Sequence, residues 1–260
     1  CALPHIAHEA FECKFRYTGG MERGGVPDRE KESHYWAAVY EGDSDFIRLF
    51  LLGDEDNEPE SGITLELEDA RGLPTLHRLA VIGHQDALNF VISDAGADVN
   101  QRESQFGQTA LHYAAIKGHV DIAQLLVRYG ADLLSADSVG GWTPLHGAAR
   151  AGQDEVLSML IDEGPLDYVN VRATSGDTPL HRAAYWGRFS SVQMLLSRGA
   201  NRLCLNDDGL DAYAIACLGP SADMLSLIDI RADLSQPPNA VFASPPLTGD
   251  RRKRSSVIGV

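Results

Sequence analysis

Apolar residues along this chain fall into short groups with the spacing of a helix face, separated by glycines at regular intervals. The stretch from Gly107 to Gly140 shows the pattern complete. Gln108-Thr109-Ala110-Leu111-His112-Tyr113-Ala114-Ala115 predicts a short helix. Thr109 stands at its N-cap, where a hydroxyl accepts an otherwise unpaired backbone N–H, and Gly118 ends it. Asp121 to Val127 predicts a second helix, with Ile122, Leu125 and Leu126 on one face. Gly130-Ala131-Asp132 then turns the chain, and Leu133 to Val139 projects as a loop.

The unit recurs. Thr75-Leu76-His77, Thr109-Ala110-Leu111-His112, Thr143-Pro144-Leu145-His146 and Thr178-Pro179-Leu180-His181 place their histidines 35, 34 and 35 positions apart. Gly72, Gly107, Gly141, Gly176 and Gly209 follow one another at steps of 35, 34, 35 and 33. Pro144 and Pro179 occupy the first helical position, where a missing N–H removes no intrahelical bond. Self-similarity at this period means a stack of small units, each burying its apolar face only against its neighbours.

The pattern G-x-T-P-L-H-x-A-A…G-H…L-L…G-A-D resembles the ankyrin repeat. The resemblance is close in four units, from Arg71 to Asp208, and implies an all-α solenoid of about five to six helix-turn-helix units with projecting loops. The first of the four carries Pro74-Thr75 in place of Thr-Pro, which removes its Thr N-cap. Tyr35 to Val39, Gly42 and Asp45 to Leu52 outline a further unit upstream, an N-terminal cap. A closing unit from Gly209 to Asp233 is degenerate, with Asp211, Ala212, Tyr213 and Ala214 where Thr-Pro-Leu-His would stand. It keeps Ala214, Ile215, Ala216, Leu225, Leu227 and Ile228 to cover an apolar face. The expected organisation is a flexible or unclassified lead-in over 1–32, then a capping unit with a long acidic loop over 33–71. Four well-matched units over 72–208, a degenerate closing unit over 209–235 and a disordered Pro-rich, basic tail over 236–260 complete it.

Charge narrows the partners. The formal net charge is −15 at pH 7, which disfavours nucleic acid, because its phosphates attract Lys and Arg. Four scattered cysteines without a CxxC fit a reducing compartment, so cytoplasmic residence is expected. No apolar run approaches a membrane span, and no membrane partner is expected. A chain that starts with Cys1 rather than Met reads as a fragment.

Candidate chemistry is sparse. His77, His112, His146 and His181 recur once per unit, too far apart to share a metal; the resemblance implies a structural role, bonding nearby backbone and the Thr hydroxyl. Cys1, His5, His8 and Cys13 lie close in sequence, but their spacing matches no zinc pattern. Phosphate loops, nucleophile elbows and metalloprotease or kinase motifs are absent from the sequence. The expectation is therefore no enzyme, no cofactor and no metal. Arg251 to Arg254 has the composition of a nuclear-import signal, and Ser255 and Ser256 follow it as candidate phosphorylation sites. The ending Ile258-Gly259-Val260 has a form that some PDZ grooves accept.

The resemblance also locates a binding face. In ankyrin stacks the concave surface is built by loop tips and the exposed side of each first helix. Here those positions hold Val81 and Ile82, then Gln108, Ile116 and Lys117, then Trp142, Arg150 and Ala151, then Asp177, Tyr185 and Trp186, with Arg182, Arg188 and Phe189 beside them. Trp, Tyr and Arg are the residues that dominate binding energy at interfaces. The expected function is non-catalytic protein–protein recognition by a monomer. Arginines beside aromatics on an acidic chain point to a partner segment with carboxylates and apolar anchors. Two alternatives stay open: an adaptor joining an array-bound protein to a tail-bound one, and the ankyrin segment of a larger enzyme or channel protein.

Overall fold

A computed structural model describes residues 28–53, 65 and 67–219. Its helices come in antiparallel pairs: α1 (Asp28–Glu41) with α2 (Ser44–Leu52), α3 (Thr75–Ile82) with α4 (Gln85–Ser93), α5 (Ala110–Lys117) with α6 (Val120–Arg128). Then follow α7 (Pro144–Ala151) with α8 (Asp154–Glu163), a 3-10 turn at Tyr168–Asn170, α9 (Pro179–Tyr185) with α10 (Phe189–Ser197), and α11 (Ala212–Leu218). The first helices α3, α5, α7, α9 and α11 pack successively on one another, and the second helices α2, α4, α6, α8 and α10 do the same in a parallel layer. The result is an all-α repeat stack.

The motif residues decide this packing. Leu76, Leu111, Leu145 and Leu180 are all at most 2% exposed. So is a second-layer set of Leu88, Ile122, Leu126, Val156, Leu157, Leu160 and Leu195, each at most 1% exposed. Burying a side chain of this size contributes about 1.5–3 kcal/mol. Ala80, Ala115 and Ala149, fully buried, let neighbouring first helices approach closely.

Helix starts follow local chemistry. Thr109, Thr143 and Thr178 cap α5, α7 and α9 in reciprocal capping boxes with His112, His146 and His181. The Pro74-Thr75 swap does not delete a helix. α3 begins at Thr75 behind an uncapped Pro74, and the Thr75 hydroxyl bonds the Tyr35 phenol instead, at 2.6 Å. Asp211 takes over the cap of α11, its carboxylate accepting the Ala214 N–H at 2.8 Å. α1 starts at Asp28, inside the expected lead-in, and Lys31 and Glu32 on it are good helix formers.

Between pairs the chain makes a hairpin, held by a side chain three or four residues before the turn glycine. Asp69 accepts the N–H groups of Arg71 and Leu73 at 2.8 and 3.1 Å. Glu103 accepts those of Gln105, Phe106 and Gln108 at 2.5, 2.7 and 3.0 Å. Asp137 accepts Gly140 and Trp142 at 2.9 and 3.1 Å, and Asn206 accepts Asp208 and Leu210 at 3.1 and 3.0 Å. Successive hairpins are tied by backbone bonds: Ser138 N–H to the Phe106 carbonyl, Thr174 to Gly140 and Asp207 to Ser175, at 2.8, 3.0 and 3.0 Å.

A further tie joins the helix pairs. His84, His119, Gln153 and Arg188, each just ahead of a second helix, donate to a carbonyl at the end of the preceding unit's first helix. The acceptors are Tyr40, Val81, Ile116 and Arg150, at 3.1, 3.0, 3.3 and 3.0 Å. Each side chain lies over a glycine. At Gly83, left-handed at φ +95°, a Cβ would stand 2.9 Å from the His119 ring.

Gly83→Ala should therefore lower stability by about 1–2 kcal/mol, through left-handed strain and a displaced His119. Thermal melting followed by circular dichroism should drop by several degrees; an unchanged midpoint would mean that the His119 tie contributes nothing.

Candidate functional site

The four motif histidines were the first candidates for chemistry, and their surroundings define one role. In His112 the Nδ1 accepts the Thr109 backbone N–H at 3.1 Å and lies 2.9 Å from the Thr109 hydroxyl. That leaves the proton on Nε2, which donates to the Trp142 carbonyl of the next unit at 2.9 Å. His146 repeats this with Thr143 and the Asp177 carbonyl, and His181 with Thr178 and the Leu210 carbonyl. His77 donates from Nε2 to the Gln108 carbonyl at 3.1 Å, but its buried Nδ1 has no partner. The residue at its N-cap is Pro74, which has no N–H to give. His112, His146 and His181 thus cap their own helices, and all four imidazoles bond the next hairpin. Among the described residues no group of three His, Cys, Asp or Glu is placed to hold a metal.

Burial disfavours the charged form of His77, His112 and His146. It lowers His77 and His112 from the ordinary imidazole value, and it brings His146, beside the Arg182 cation, down to about 4. Asp137 is also held below its free value, but by hydrogen bonds rather than by burial. Burial would raise its carboxyl, but the N–H groups of Gly140 and Trp142 and the Gln108 amide more than offset this and hold it below the usual value.

The proposed concave positions form two groups. Trp142, Arg150, Arg182, Tyr185, Trp186 and Arg188 come together. The Arg182 guanidinium carbon stands 3.9 Å from the Trp142 ring centroid, and that of Arg150 stands 5.1 Å from the Trp186 centroid. Trp186 meets Tyr185 edge to face at 5.5 Å, and Trp142 meets His146 likewise at 5.3 Å. Burial and the like charge of Arg150 depress the Arg182 pKa, with Asp177 offsetting part of the effect. Arg188 is exposed, yet its Nε is committed to the Arg150 carbonyl.

Val81, Ile82, Ile116 and Lys117 make the second group, at the ends of α3 and α5. Val81, Ile82 and Ile116 are half-buried and Lys117 is exposed. Ile116 packs over Gly147, 3.0 Å from where a Cβ would sit. Gln108 and Asp177 serve the stack, bonding Asp137 and Asn206 through their side chains at 3.3 and 2.9 Å. Cys1, His5, His8, Cys13, the acidic stretch from Asp54 to Ile63, the apolar residues Leu225, Leu227 and Ile228 of the closing unit, Arg251 to Arg254, Ser255 and Ser256 lie outside the described residues.

Sequence reading passed over the tie made by His84, His119, Gln153 and Arg188. Its signal was positional: a side-chain N–H donor directly after or one residue past a glycine that ends a first helix.

The sequence profile of ankyrin repeats (3 copies) matches residues 34–137 and 133–207. The chain belongs to the ankyrin repeat family. Among curated proteins it is similar to a putative ankyrin repeat-containing protein of Treponema pallidum (strain Nichols), 33% identical over 129 residues, 48% of this chain and 39% of that protein. It is also similar to the nuclear factor NF-kappa-B p105 subunit of Gallus gallus, 30% identical over 103 residues, 40% of this chain and 10% of the relative. A third relative, the FYVE zinc finger domain protein UPA1 of Mycosarcoma maydis, is 33% identical over 87 residues, 34% of this chain and 7% of that one. The matched region is thus well under half of each relative's length. Ankyrin repeats generally mediate protein–protein interaction, and the family is typically non-catalytic. Among the described residues no helix is long and apolar enough to cross a membrane.

The buried histidines of this ankyrin stack make it acid-sensitive. A folded pKa below the free value of 6.5 means that the unfolded chain takes up protons first. The stabilisation is then complete above about pH 6.5 and is lost as pH falls toward 4. For His146 alone the loss is on the order of 3 kcal/mol. Urea unfolding should show the intact chain more stable than His146→Gln at pH 7.5, with the gap closing by pH 4.5. A gap that stays constant with pH would mean that His146 is not held neutral.

Proposed function

We propose that this ankyrin array is a non-catalytic protein-recognition module. It acts as a monomer and holds its partner on the concave face through Val81, Ile82, Ile116, Lys117, Trp142, Arg150, Arg182, Tyr185, Trp186 and Arg188. What carries the reading is the joining of two Trp, a Tyr and three Arg from two successive units into one half-exposed patch. The helices beneath it are set by the buried leucines and the histidine ties, so a bound segment meets a preformed surface and ordering costs stay small. Aromatic and arginine side chains held in place by their neighbours are the kind that give large binding contributions. Cytoplasmic residence fits the free thiols of Cys204 and Cys217. Entry to the nucleus through Arg251 to Arg254 is an extension of that reading.

A second reading has an observation of its own. Because the match spans 7–39% of the relatives' lengths, the array could serve as the recognition segment of a longer protein.

The test compares capture from cell lysate by the intact chain, by Trp142→Ala/Trp186→Ala, and by Glu155→Lys, an exposed position on the second-helix layer. All three should keep their helical circular dichroism. The double variant should lose a partner that the other two retain, with affinity weakened roughly tenfold or more. Identical capture by all three would remove the concave face as the working surface.

A further inference from the structure

Arg78 and Arg182 occupy the same register, one residue after the motif histidines His77 and His181. Their surroundings differ. The Arg78 Nη2 donates to Asp69 Oδ2 in a buried ion pair, both side chains 3% exposed. Arg182 has no carboxylate at ion-pair distance among the described residues. Nε lacks an acceptor in both arginines, so the contrast lies at the terminal nitrogens.

The hairpin explains the contrast. Asp69, Glu103, Asp137, Ala173 and Asn206 share one backbone position, each donating its N–H to the carbonyl four or five residues on, at 3.0, 3.0, 2.9, 2.8 and 2.9 Å. Asp69, which pairs with Arg78, belongs to the same unit as Arg78. In the unit of Arg182 the equivalent residue is Ala173, as buried as Asp69 and Asp137 at 8%. The repeat supplies one arginine with its carboxylate and leaves the other without.

Around Arg182 other features favour an incoming anion. Its guanidinium carbon stands over Trp142, 3.9 Å from the ring centroid, and that of Arg150 stands over Trp186 at 5.1 Å. The Trp186 indole N–H is buried and has no acceptor. Among the described residues the acid that acts on Arg182 is Asp177, which is engaged by the Asn206 amide at 2.9 Å and reaches Arg182 only through longer-range attraction. Two like charges on stacked arginines, with a donor beside them and no ion-paired carboxylate among the described residues, are complementary to a carboxylate, whose two oxygens match the guanidinium fork.

We propose that Arg182, with Arg150 beside it, is the receptor for an Asp or Glu side chain of a partner polypeptide, the tryptophans forming its walls. The inference rests on the reading of this face as a protein-binding surface. The repeat itself furnishes the bound form in miniature, as the Arg78–Asp69 pair.

The probe is a phage-displayed random peptide library selected on the intact chain, with enriched peptides remeasured by fluorescence anisotropy. Enriched peptides should carry an Asp or Glu at one fixed position. Arg182→Gln should weaken them by about tenfold. Ala173→Asp, which offers Arg182 an internal carboxylate, should weaken them similarly. Ala173→Asp should also raise the melting midpoint, and by less when combined with Arg182→Gln. This second measurement stands even if Arg182→Gln alone folds poorly. Peptides that need Trp142 and Trp186 but show no acidic position overturn the carboxylate site and leave the binding face standing. Peptides indifferent to both tryptophans, or no enrichment at all, overturn both. Acidic peptides that bind Arg182→Gln and Ala173→Asp undiminished overturn the assignment to Arg182.

Discussion

The stack depends on a neutral imidazole that faces two ways. Through Nδ1 it takes the N–H at its own helix start, and through Nε2 it gives a proton to the next hairpin's carbonyl. A charged ring could not accept at Nδ1, and a ring with the other tautomer could not donate at Nε2. Helix start, hairpin position and spacing between units are therefore one constraint. The buried leucines supply most of the free energy, but non-directional burial alone would tolerate sliding of one unit on the next. Hydrogen bonds of defined direction remove that freedom.

Much of this was legible in the chain. The recurrence of Thr, Leu and His at intervals near 34 residues marks the first helices directly, because each of those residues has a separate local task. Asp211 stands where the first-helix Thr does and caps α11 just as well, since an N-cap needs only an oxygen acceptor. The tie made by His84, His119, Gln153 and Arg188 was harder to see. Its four members share no residue type, only an N–H that can reach back over a glycine. A pattern read in residue names misses a function fulfilled by three chemistries.

The members of the proposed face could be named from the sequence, but not their arrangement. From sequence, the tryptophans stood either as packing or as contact surface. The geometry shows the packing, since Trp142 and Trp186 each support an arginine from the neighbouring unit; the contact role belongs to the proposal. The stacking fixes long side chains that would otherwise lose rotamer entropy on binding, at a contribution of about 0.5–1 kcal/mol for exposed pairs. Arg188 belongs to the stack through Nε and to the face through its exposed end. The absence of an acid at Ala173 could be noticed only once Asp69 had been seen pairing with Arg78, because no local motif links positions nine residues apart.

The chain's overall charge limits what such a face can hold. With a net charge of −15, a strongly acidic partner would be repelled at a distance. At physiological salt that field decays over about 8 Å, so a carboxylate already docked beside two guanidiniums feels the local cations far more than the remote acids. Electrostatic steering gives such a partner no gain in association rate, and selectivity must reside in the close contacts that slow dissociation. A segment with one well-placed acid among apolar residues satisfies both conditions, whereas a run of acids adds repulsion without a second receptor. On the proposed reading, the acidic body and the cationic patch together select for sparse charge in the partner.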